Sequence, residues 1–476
     1  IKSSRFLGMT RARAKVIEYN VPTERLKLSA DPAQLFTLTI GLLGEYSALI
    51  NNDADESALT EIQNNLIFSA HFFDSYMQAN LNQEWNTYLA IVGSASYYLC
   101  DFPGSAAVMA NRVRHTYSNF IGCGIDNLLL WILQGDLSAN FEPDSYTETF
   151  VQAKMLAKAI KIYYETGVGN VEIYTSAQKI RNYAYLYGTP RELLFADILL
   201  AVLKKKIANS VWTALPLYSD ISIDIWKKYI SKKTSIKEFW PAQHLLGKEG
   251  VFKGKSAVVQ MPTSAGKTKA TELAIRCAFL SNRTQLAIIV APYKALCHEI
   301  KNSFSIAFEG EDISVNELSS TIQGDYSVDD IYKENQIVIV TPEKLLYALR
   351  HTPELGEKAN LLIFDEGHQF DSGERGITYE LLIASLIKLI PNESQKVLIS
   401  AVISNAEDVG EWLNNDRKTV NGQMLLPTYR SLAFASFKGI NGSVKTGWMW
   451  YVQPQSPDVS EYFVPYVIES IKVGEG

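Results

Sequence analysis

A run of small residues that ends in Gly-Lys-Thr has the composition of a loop that binds phosphate. It occupies positions 261–268, follows the apolar run Ser256–Gln260 and precedes a helical pattern. Small residues let backbone N–H groups curl around phosphate oxygens, and the N-terminus of the helix adds its dipole. Lys267 supplies a positive charge and Thr268 offers a hydroxyl to Mg²⁺. The run therefore predicts a nucleoside-triphosphate site, although Met261 stands where the general pattern has its first glycine.

A pair of acidic residues can supply the second half of such a site. Asp365 and Glu366 directly follow the apolar run Leu361–Phe364. Because ligands bind at the carboxyl ends of strands in open α/β sheets, both carboxylates are expected at the binding edge. Asp365 would hold Mg²⁺, directly or through water. Glu366 would orient and deprotonate the attacking water.

Each of these two motifs has an ordinary structural explanation when it is taken alone. A Gly-Lys-Thr before a helix can arise by chance, and acidic turns after strands are common. Both motifs occur here in order, and each lies in the strand-to-loop context that its mechanism demands. The combination favours an enzyme that binds and hydrolyses a nucleoside triphosphate with Mg²⁺.

The elements that must position these residues are strands of a parallel sheet. From about Ser231, short β-branched runs alternate with helical stretches of about 10–15 residues. The runs are apolar throughout instead of alternating, so both faces of each strand are expected to be buried. The pattern predicts a doubly wound α/β domain that ends near Pro427. The five predicted strands are Ser256–Gln260, Leu286–Val290, Gln336–Val340, Leu361–Phe364 and Val397–Ser400.

Residues from about 31 to 226 show apolar residues at helical spacing, with Gly, Pro, Asp and Asn between the segments. This pattern predicts an α-helical N-terminal domain. Tyrosine pairs at 97–98 and 163–164 could form a platform for bases or for a partner. Core packing is the more usual role of tyrosines on helices, and we favour it. The predicted helices are Ala33–Ile50, Glu56–Ala79, Trp85–Cys100, Asn127–Leu133, Thr147–Glu165 and Arg191–Lys206.

The composition restricts the class of protein. The chain has 476 residues, 47% of them hydrophobic and 20% charged, which is ordinary for a globular protein of about three domains. A net charge of −6 argues against a strongly basic surface, although a local basic cleft remains compatible with it. The four cysteines form no CxxC pair, so a disulfide framework or a zinc site is not expected. With no signal peptide and no apolar run of about 20 residues, a cytoplasmic protein is expected.

A series of motifs between Gln243 and Asp408 resembles the first RecA-like domain of superfamily 2 helicases. Among these, it is most similar to the Ski-like and DEAH-related branch. The matching segments are Phe239–Gln243, Pro262–Thr268, Ala291–Leu296, Gly324-Asp325, Thr341–Lys344, Asp365–His368, Glu374–Gly376 with Glu380, and Ser400–Val402. The resemblance covers somewhat over a third of the chain.

The resemblance implies roles for individual residues. Gln243 would read the adenine, and the phosphates would lie in the loop formed by Pro262, Thr263, Ser264, Ala265, Gly266, Lys267 and Thr268. Thr268 and Asp365 would hold Mg²⁺, and His368 would link the ATP site to Ser400 and Val402. Nucleic-acid backbone contacts would come from Pro292, Lys294, Gly324, Thr341, Pro342 and Lys344. Contacts to phosphate fix position without reading sequence, so little base specificity is expected.

Two departures from the family pattern affect this prediction. Val402 stands where the family usually has a threonine, and this removes a hydroxyl thought to couple hydrolysis to strand movement. No second RecA-like domain follows, and in this family that domain supplies arginine fingers worth about 10³–10⁵ in rate. These 476 residues alone are therefore expected to bind ATP and to hydrolyse it slowly. The predicted domains are 1–228 (helical), 229–430 (RecA-like) and 431–476 (a linker or the start of a second RecA-like domain).

The run Ala95–Ala106 is similar to one in bacterial helicases of antiviral defence systems. That similarity implies a motor directed to DNA in preference to RNA, with a nuclease-type partner subunit docked on the helical domain. Three alternatives stay open. The chain could be a nucleic-acid sensor that uses ATP as a switch, the motor of a restriction complex, or an RNA helicase of the Ski-like type.

Overall fold

The computed structural model describes most of the chain as two compact units. Residues within 1–207 and 428–476 form a helical unit with a small sheet, and residues 208–427 form an α/β unit. The described ranges are 33–79, 83–113, 124–137, 140–141, 148–318, 335–368, 374–401, 403–429, 432–437, 447–452 and 460–464. None of the described helices is both long enough and apolar enough to cross a membrane.

Eight helices are described in the helical unit, and the six predicted from the sequence are among them. Sequence signals set several of their ends: Asp55 Oδ1 accepts a hydrogen bond from Ala58 N at 2.9 Å, and left-handed glycines flank the fifth helix at φ 79° and 82°. The helices are α1 (Ala33–Asn51), α2 (Glu56–Gln78), α3 (Asn86–Leu99), α4 (Pro103–Ala110), α5 (Ile125–Gln134), α6 (Glu148–Thr166), α7 (Asn170–Tyr187) and α8 (Pro190–Asn209).

Aromatic side chains fill the core of this unit. The ring of Phe36 lies 5.0 Å from Trp85 and 6.0 Å from Phe73 and from Tyr88, measured between centroids. Such edge-on and tilted pairs are the favourable arrangements of aromatic rings. Tyr97 and Tyr98 are 3% and 4% exposed, so this tyrosine pair packs in the core and offers no stacking platform.

Three strands near the end of the described chain form an antiparallel sheet in the order β10-β9-β8. They are β8 (Leu432–Phe437), β9 (Gly447–Val452) and β10 (Ser460–Val464). The sequence indicated strand-like pieces here, including residues 448–452.

The α/β unit is built on seven parallel strands in the order β3-β4-β2-β5-β6-β1-β7. The five predicted strands lie within it, each within two residues of its predicted bounds. The strands are β1 (Ala257–Gln260), β2 (Leu286–Val290), β3 (Ile313–Glu317), β4 (Asn335–Val340), β5 (Leu361–Phe364), β6 (Gln395–Ser400) and β7 (Thr419–Asn421).

Helices cover both faces of this sheet. Val259 belongs to the core on one face and its neighbour Val258 to the core on the other, because successive side chains of a strand point to opposite sides. The predicted doubly wound parallel fold is therefore confirmed. The helices are α9 (Val211–Ser219), α10 (Ile223–Ile230), α11 (Pro241–Lys248), α12 (Lys267–Leu280), α13 (Lys294–Ala307), α14 (Pro342–His351), α15 (Glu354–Glu357), α16 (Glu374–Leu389) and α17 (Ala406–Asn414).

Helices α9 and α10 pack with the α/β core, although the sequence analysis grouped them with the helical segment. Trp226 is fully buried there, and its indole Nε1 donates to Ser219 Oγ at 3.1 Å. The boundary between the two units accordingly falls between residues 207 and 208.

Gly410 lies at a tightly packed position of this unit. A Cβ atom at this position of α17 would lie 2.5 Å from the backbone oxygen of Asp416. We expect Gly410→Ala to destabilise the protein, because overpacking costs about 1–3 kcal/mol and alanine gains only about 0.5–1 kcal/mol in a helix. Chemical denaturation measures the difference. The neighbouring exposed change Glu411→Ala should stay within about 0.5 kcal/mol of wild type; equal effects of the two changes would contradict the packing argument.

Candidate nucleotide and nucleic-acid site

The phosphate-binding loop leaves β1 at the carboxyl edge of the sheet. Met261 N donates to Ser400 O at 2.8 Å, which extends the pairing of β1 with β6 into the start of the loop. Residues Thr263–Ala265 form one 3₁₀ turn, and Gly266 has the left-handed φ of 87° before α12 begins at Lys267. The backbone thus reverses around a concave turn at a helix N-terminus, which is the geometry that receives phosphate.

Gln243 in α11 lies beside this loop. Its Oε1 accepts a hydrogen bond from Trp240 N at 2.7 Å, and the side chain is 3% exposed. A Cβ atom added at Gly266 would lie 3.0 Å from Gln243 Nε2. Glycine is therefore needed at 266 for two reasons, the positive φ and the close approach of this amide. The predicted adenine-reading residue and the predicted phosphate loop are in contact.

A chain of polar side chains connects the loop to the ends of β5 and β6. Lys267 Nζ lies 3.5 Å from Glu366 Oε1, and Glu366 Oε2 lies 3.3 Å from His368 Nδ1. His368 Nδ1 in turn lies 3.4 Å from Ser400 Oγ. The structure therefore brings together four of the residues that the sequence singled out, although they come from three different strand ends.

Asp365 begins the acidic turn after β5. Burial, with the charge of Glu366 second, raises the pKa of Asp365 above its usual value, and Lys267 partly opposes the shift. Asp365 Oδ1 accepts a hydrogen bond from Glu366 N at 2.9 Å, and Glu366 has a left-handed φ of 52°. Two adjacent carboxylates in a poorly solvated turn are a donor set that fits a divalent cation. Thr268, the second residue of α12, is exposed.

Two helix N-termini at the same edge form the second part of the candidate site. Strands β2 and β4 are neighbours, with Val290 opposite Val340, so the segments that follow them run side by side. Pro292 and Lys294 lead into α13, while Thr341, Pro342 and Lys344 begin α14. Lys294 is exposed, whereas Lys344 Nζ donates to Leu318 O at 3.0 Å. Gly324 and Val402 lie outside the described residues.

Tyr379 was missed by the sequence analysis. It lies in α16 and is 2% exposed. Its hydroxyl donates a hydrogen bond to the backbone oxygen of Asp365 at 3.3 Å, which helps to hold the acidic turn in place. Burial, and after it the charges of Asp365 and Glu366, raises the pKa of Tyr379. No local pattern marks this residue, because its partner lies 14 positions away.

The comparison with protein families agrees with this geometry. Residues 240–409 match the DEAD/DEAH box helicase family. The α/β unit therefore contains a domain that matches the DEAD/DEAH box helicase family.

Two curated relatives refine the comparison. The chain is 32% identical over 286 residues to the Hachiman protein HamB of Bacillus cereus, which covers 59% of this chain and 25% of HamB. It is 33% identical over 196 residues to the ATP-dependent DNA helicase Hel308 of Pyrococcus horikoshii, which covers 41% of this chain and 26% of that protein. The chain thus spans about a quarter of the length of these relatives.

Solved structures of helicases also match part of the chain. The DUF1998 helicase MrfA bound to DNA is 24% identical, with a TM-score of 0.32, over 42% of this chain and 29% of that one. The DEAD-box helicase Mss116 bound to ssRNA and UDP-BeF is 17% identical, with a TM-score of 0.36, over 44% of each chain.

The raised pKa of Asp365 predicts a stability that depends on pH. A carboxyl whose pKa is higher in the folded state binds its proton more tightly there, so the nucleotide-free protein loses stability as the pH rises through that pKa. We expect Asp365→Asn to raise the melting temperature at pH 7 in the absence of Mg²⁺. The gain should vanish below about pH 4, where the carboxyl is protonated in both states.

Thermal unfolding at the two pH values measures this effect. Asp312→Asn, a change at an exposed carboxyl of the same unit, should alter the melting temperature little at either pH. An Asp365→Asn protein that is no more stable than wild type at pH 7 would refute the desolvation argument.

Proposed function

We propose that this chain carries the ATP-binding half of an ATP-dependent helicase or translocase that acts on nucleic acid. The observation that carries the proposal is the continuous contact from Lys267 through Glu366 and His368 to Ser400. It joins the phosphate loop, the acidic turn and the end of β6. The family match and the adjacent helix N-termini of α13 and α14 support it.

The side chains divide the work of phosphoryl transfer among them. The N–H groups at the start of α12 and the charge of Lys267 hold the β- and γ-phosphates. Thr268 and Asp365 would hold Mg²⁺, which neutralises charge on the phosphates when it is bound. Gln243, fixed against Gly266, places the adenine end of the nucleotide.

Lys267 and Glu366 change partners when nucleotide binds. Without nucleotide, Lys267 Nζ lies 3.5 Å from Glu366 Oε1, and Lys267 is only 7% exposed. Phosphate oxygens attract the ammonium group more strongly than one partly exposed carboxylate, because they carry several negative charges. Glu366 is then released from the lysine and can accept the proton of the attacking water.

His368 and Ser400 carry the state of the acidic turn to the end of β6. Glu366 and Ser400 both lie near His368 Nδ1, at 3.3 and 3.4 Å. Protonation of Glu366 changes how its carboxyl group interacts with this ring nitrogen, so hydrolysis alters the contacts of β6. Through β6 and the following position 402, this route would couple the ATP site to movement of the segments that contact nucleic acid.

The nucleic-acid track would follow the N-termini of α13 and α14. Free N–H groups at helix N-termini bind phosphate, and Lys294 adds an exposed charge beside them. Contacts of this kind hold a backbone without reading bases. We favour DNA over RNA as the track, because the Hel308 relatives are named DNA helicases. Stimulation by RNA alone would indicate instead an RNA helicase of the Ski-like type.

We also propose a role in bacterial antiviral defence, in the cytoplasm. The identity with HamB supports the defence role, because it extends over 286 residues and therefore beyond the motor domain. We propose that the helical unit docks a protein partner, a nuclease-type effector subunit. Its exposed apolar residues support a docking role: Tyr185, Leu186 and Tyr187 at the end of α7 are 70%, 65% and 75% exposed. Clusters of exposed large apolar side chains are typical of interaction sites.

An ATP-switched sensor with little unwinding is the second candidate. Val402 favours it, since valine cannot supply the hydroxyl that the family usually places at this position. In such a protein, ATP would set the conformation and the partner would provide the output.

ATP hydrolysis by the full natural protein tests the motor proposal. We expect single-stranded or duplex DNA to stimulate turnover more than RNA does. Lys267→Ala should lower stimulated turnover by about 100-fold or more, because it removes a charge aimed at the transferred phosphate. Lys248→Ala, at an exposed lysine of the same unit, should leave it unchanged. Nucleotide binding without stimulation by any nucleic acid would contradict the motor and favour the switch.

The partner proposal has its own test. We expect a nuclease subunit to co-purify with the full natural protein and to be lost when Tyr185 and Tyr187 are both changed to serine, since this removes the exposed rings. Leu38→Ser changes another exposed apolar side chain of the same unit, 65% exposed, and should retain the subunit. Retention by the double variant would place the docking surface elsewhere, and absence of any nuclease from the wild-type preparation would refute the partner.

A further inference from the structure

Charged side chains are buried where α12 and α13 come to their C-terminal ends. Arg276 of α12 is 2% exposed and Glu272, one turn earlier, is also 2% exposed. The side chain of Glu311, in the segment after α13, is 15% exposed. Arg276 lies in the C-terminal half of α12, and the roles proposed for Lys267 and the acidic turn do not involve these charged groups.

The guanidinium of Arg276 uses each of its three nitrogens. Nε donates to Glu272 Oε1 at 3.0 Å, and Nη1 donates to Glu311 Oε1 and Oε2 at 2.7 and 2.6 Å. Nη2 donates to the backbone oxygen of Ala307 at 2.7 Å. Aromatic rings also pack against the guanidinium group. Its Cζ lies 4.4 Å from the ring centroid of Tyr229 and 4.0 Å from that of Phe308.

These contacts fasten two helices to each other. Arg276 belongs to α12, which begins at the phosphate-binding lysine, and Ala307 is the last residue of α13, which begins at the proposed nucleic-acid contact. The carbonyl of Ala307 is one that the helix itself leaves unpaired, and a cation there also suits the helix dipole. Lys232 Nζ donates to the same oxygen at 3.2 Å and to Glu309 O at 2.8 Å, which closes the cluster.

Stability alone does not account for such a cluster. Removing several charges from water is costly, and a well-packed apolar cluster of similar volume is often as stable or more so. What the fork of an arginine provides is one fixed geometry between the groups that it bonds. Each helix has 14 residues and is about 21 Å long, so a joint at the C-terminal ends fixes the relative position of the two N-terminal ends.

We propose that Arg276 is a positioning residue that couples the nucleotide site to the nucleic-acid contacts through α12 and α13. Phosphate that binds at the start of α12 displaces that helix. The bonds of Arg276 to Glu311 and Ala307, which we call the Arg276 joint, transmit the displacement to α13. Binding of nucleic acid at the start of α13 acts on the phosphate loop by the same route, because coupling between two sites is reciprocal. The proposal rests on the motor function proposed above.

A conservative substitution separates coupling from folding. Arg276→Lys keeps the charge but replaces three nitrogens of a planar fork by one, which cannot occupy the positions of Nε, Nη1 and Nη2 together. Glu311→Gln is a milder second variant that weakens the bonds of Glu311 to Arg276 Nη1 and to Lys232 Nζ and keeps those of Arg276 to Glu272 and Ala307. The matched control is Arg283→Lys. Arg283 follows α12 closely and bonds Gln395 Oε1 at 2.9 Å and Phe252 O at 3.1 Å, and neither partner belongs to α13.

The measurements are kcat and KM for ATP in the full natural protein, with and without single-stranded DNA, together with the melting temperature. We expect Arg276→Lys and Glu311→Gln to keep the KM for ATP and the unstimulated kcat within about twofold of wild type. The stimulation by DNA should fall by about fivefold or more, which is the lower range for coupling between sites. Arg283→Lys should keep the stimulation by DNA, even if its melting temperature falls as much as that of Arg276→Lys.

Three results would overturn the proposal. Full stimulation in both Arg276→Lys and Glu311→Gln would show that the joint does not couple the sites. An equal loss of stimulation in Arg283→Lys would show that general loosening of the unit is the cause. If wild type responds to no nucleic acid, the motor function itself fails and this inference fails with it, so the two failures are distinguishable. If Arg276→Lys does not fold, Glu311→Gln decides the question.

Discussion

The ion pair between Lys267 and Glu366 constrains the rest of the α/β unit. One partner begins the helix after β1 and the other follows β5, yet their charged atoms lie 3.5 Å apart. That is possible only because all strands are parallel and end at one edge of the sheet. The order β5-β6-β1 also places β6 between them, so that Ser400 at its end lies within reach of His368. The strand order thus determines that the end of β6 lies close enough to the acidic turn to be affected by changes there.

The unit places its charges in two different environments for two different purposes. At the carboxyl edge, Asp365 and Glu366 lie in a poorly solvated turn in which burial raises the pKa of Asp365. Such a turn is unfavourable without a cation and is therefore suited to bind one. At the opposite ends of α12 and α13, the charge of Arg276 is matched by two glutamates and a carbonyl oxygen. The first environment is left incomplete for a ligand, and the second is complete and rigid.

The helical unit differs from the α/β unit in that aromatic rings form a large part of its core. Phe36 packs against rings of α2 and α3 and against Trp85, which directly precedes α3, and Tyr97 and Tyr98 are also buried. The aromatic residues at the end of α7 are the exception, since Tyr185 and Tyr187 face solvent. A tyrosine-rich sequence therefore gives both a packed core and a surface suited to a partner, and composition cannot tell the two apart.

The sequence by itself determined the fold class and five strands of the sheet, and it predicted residues for a nucleotide site of which the structure brings Lys267, Glu366, His368 and Ser400 together. Continuous apolar runs and a loop tied to its neighbouring helix are local patterns, and their spacing follows from backbone geometry. Only the tertiary structure decided the strand order, the packing of α9 and α10 with the α/β core, the support of Asp365 by Tyr379 and the Arg276 joint. Strand β3, with every residue half-buried, lacks the apolar run that marks a central strand. Arg276 and Glu311 are 35 positions apart, so their pairing depends on how the helices pack and leaves no trace in local sequence.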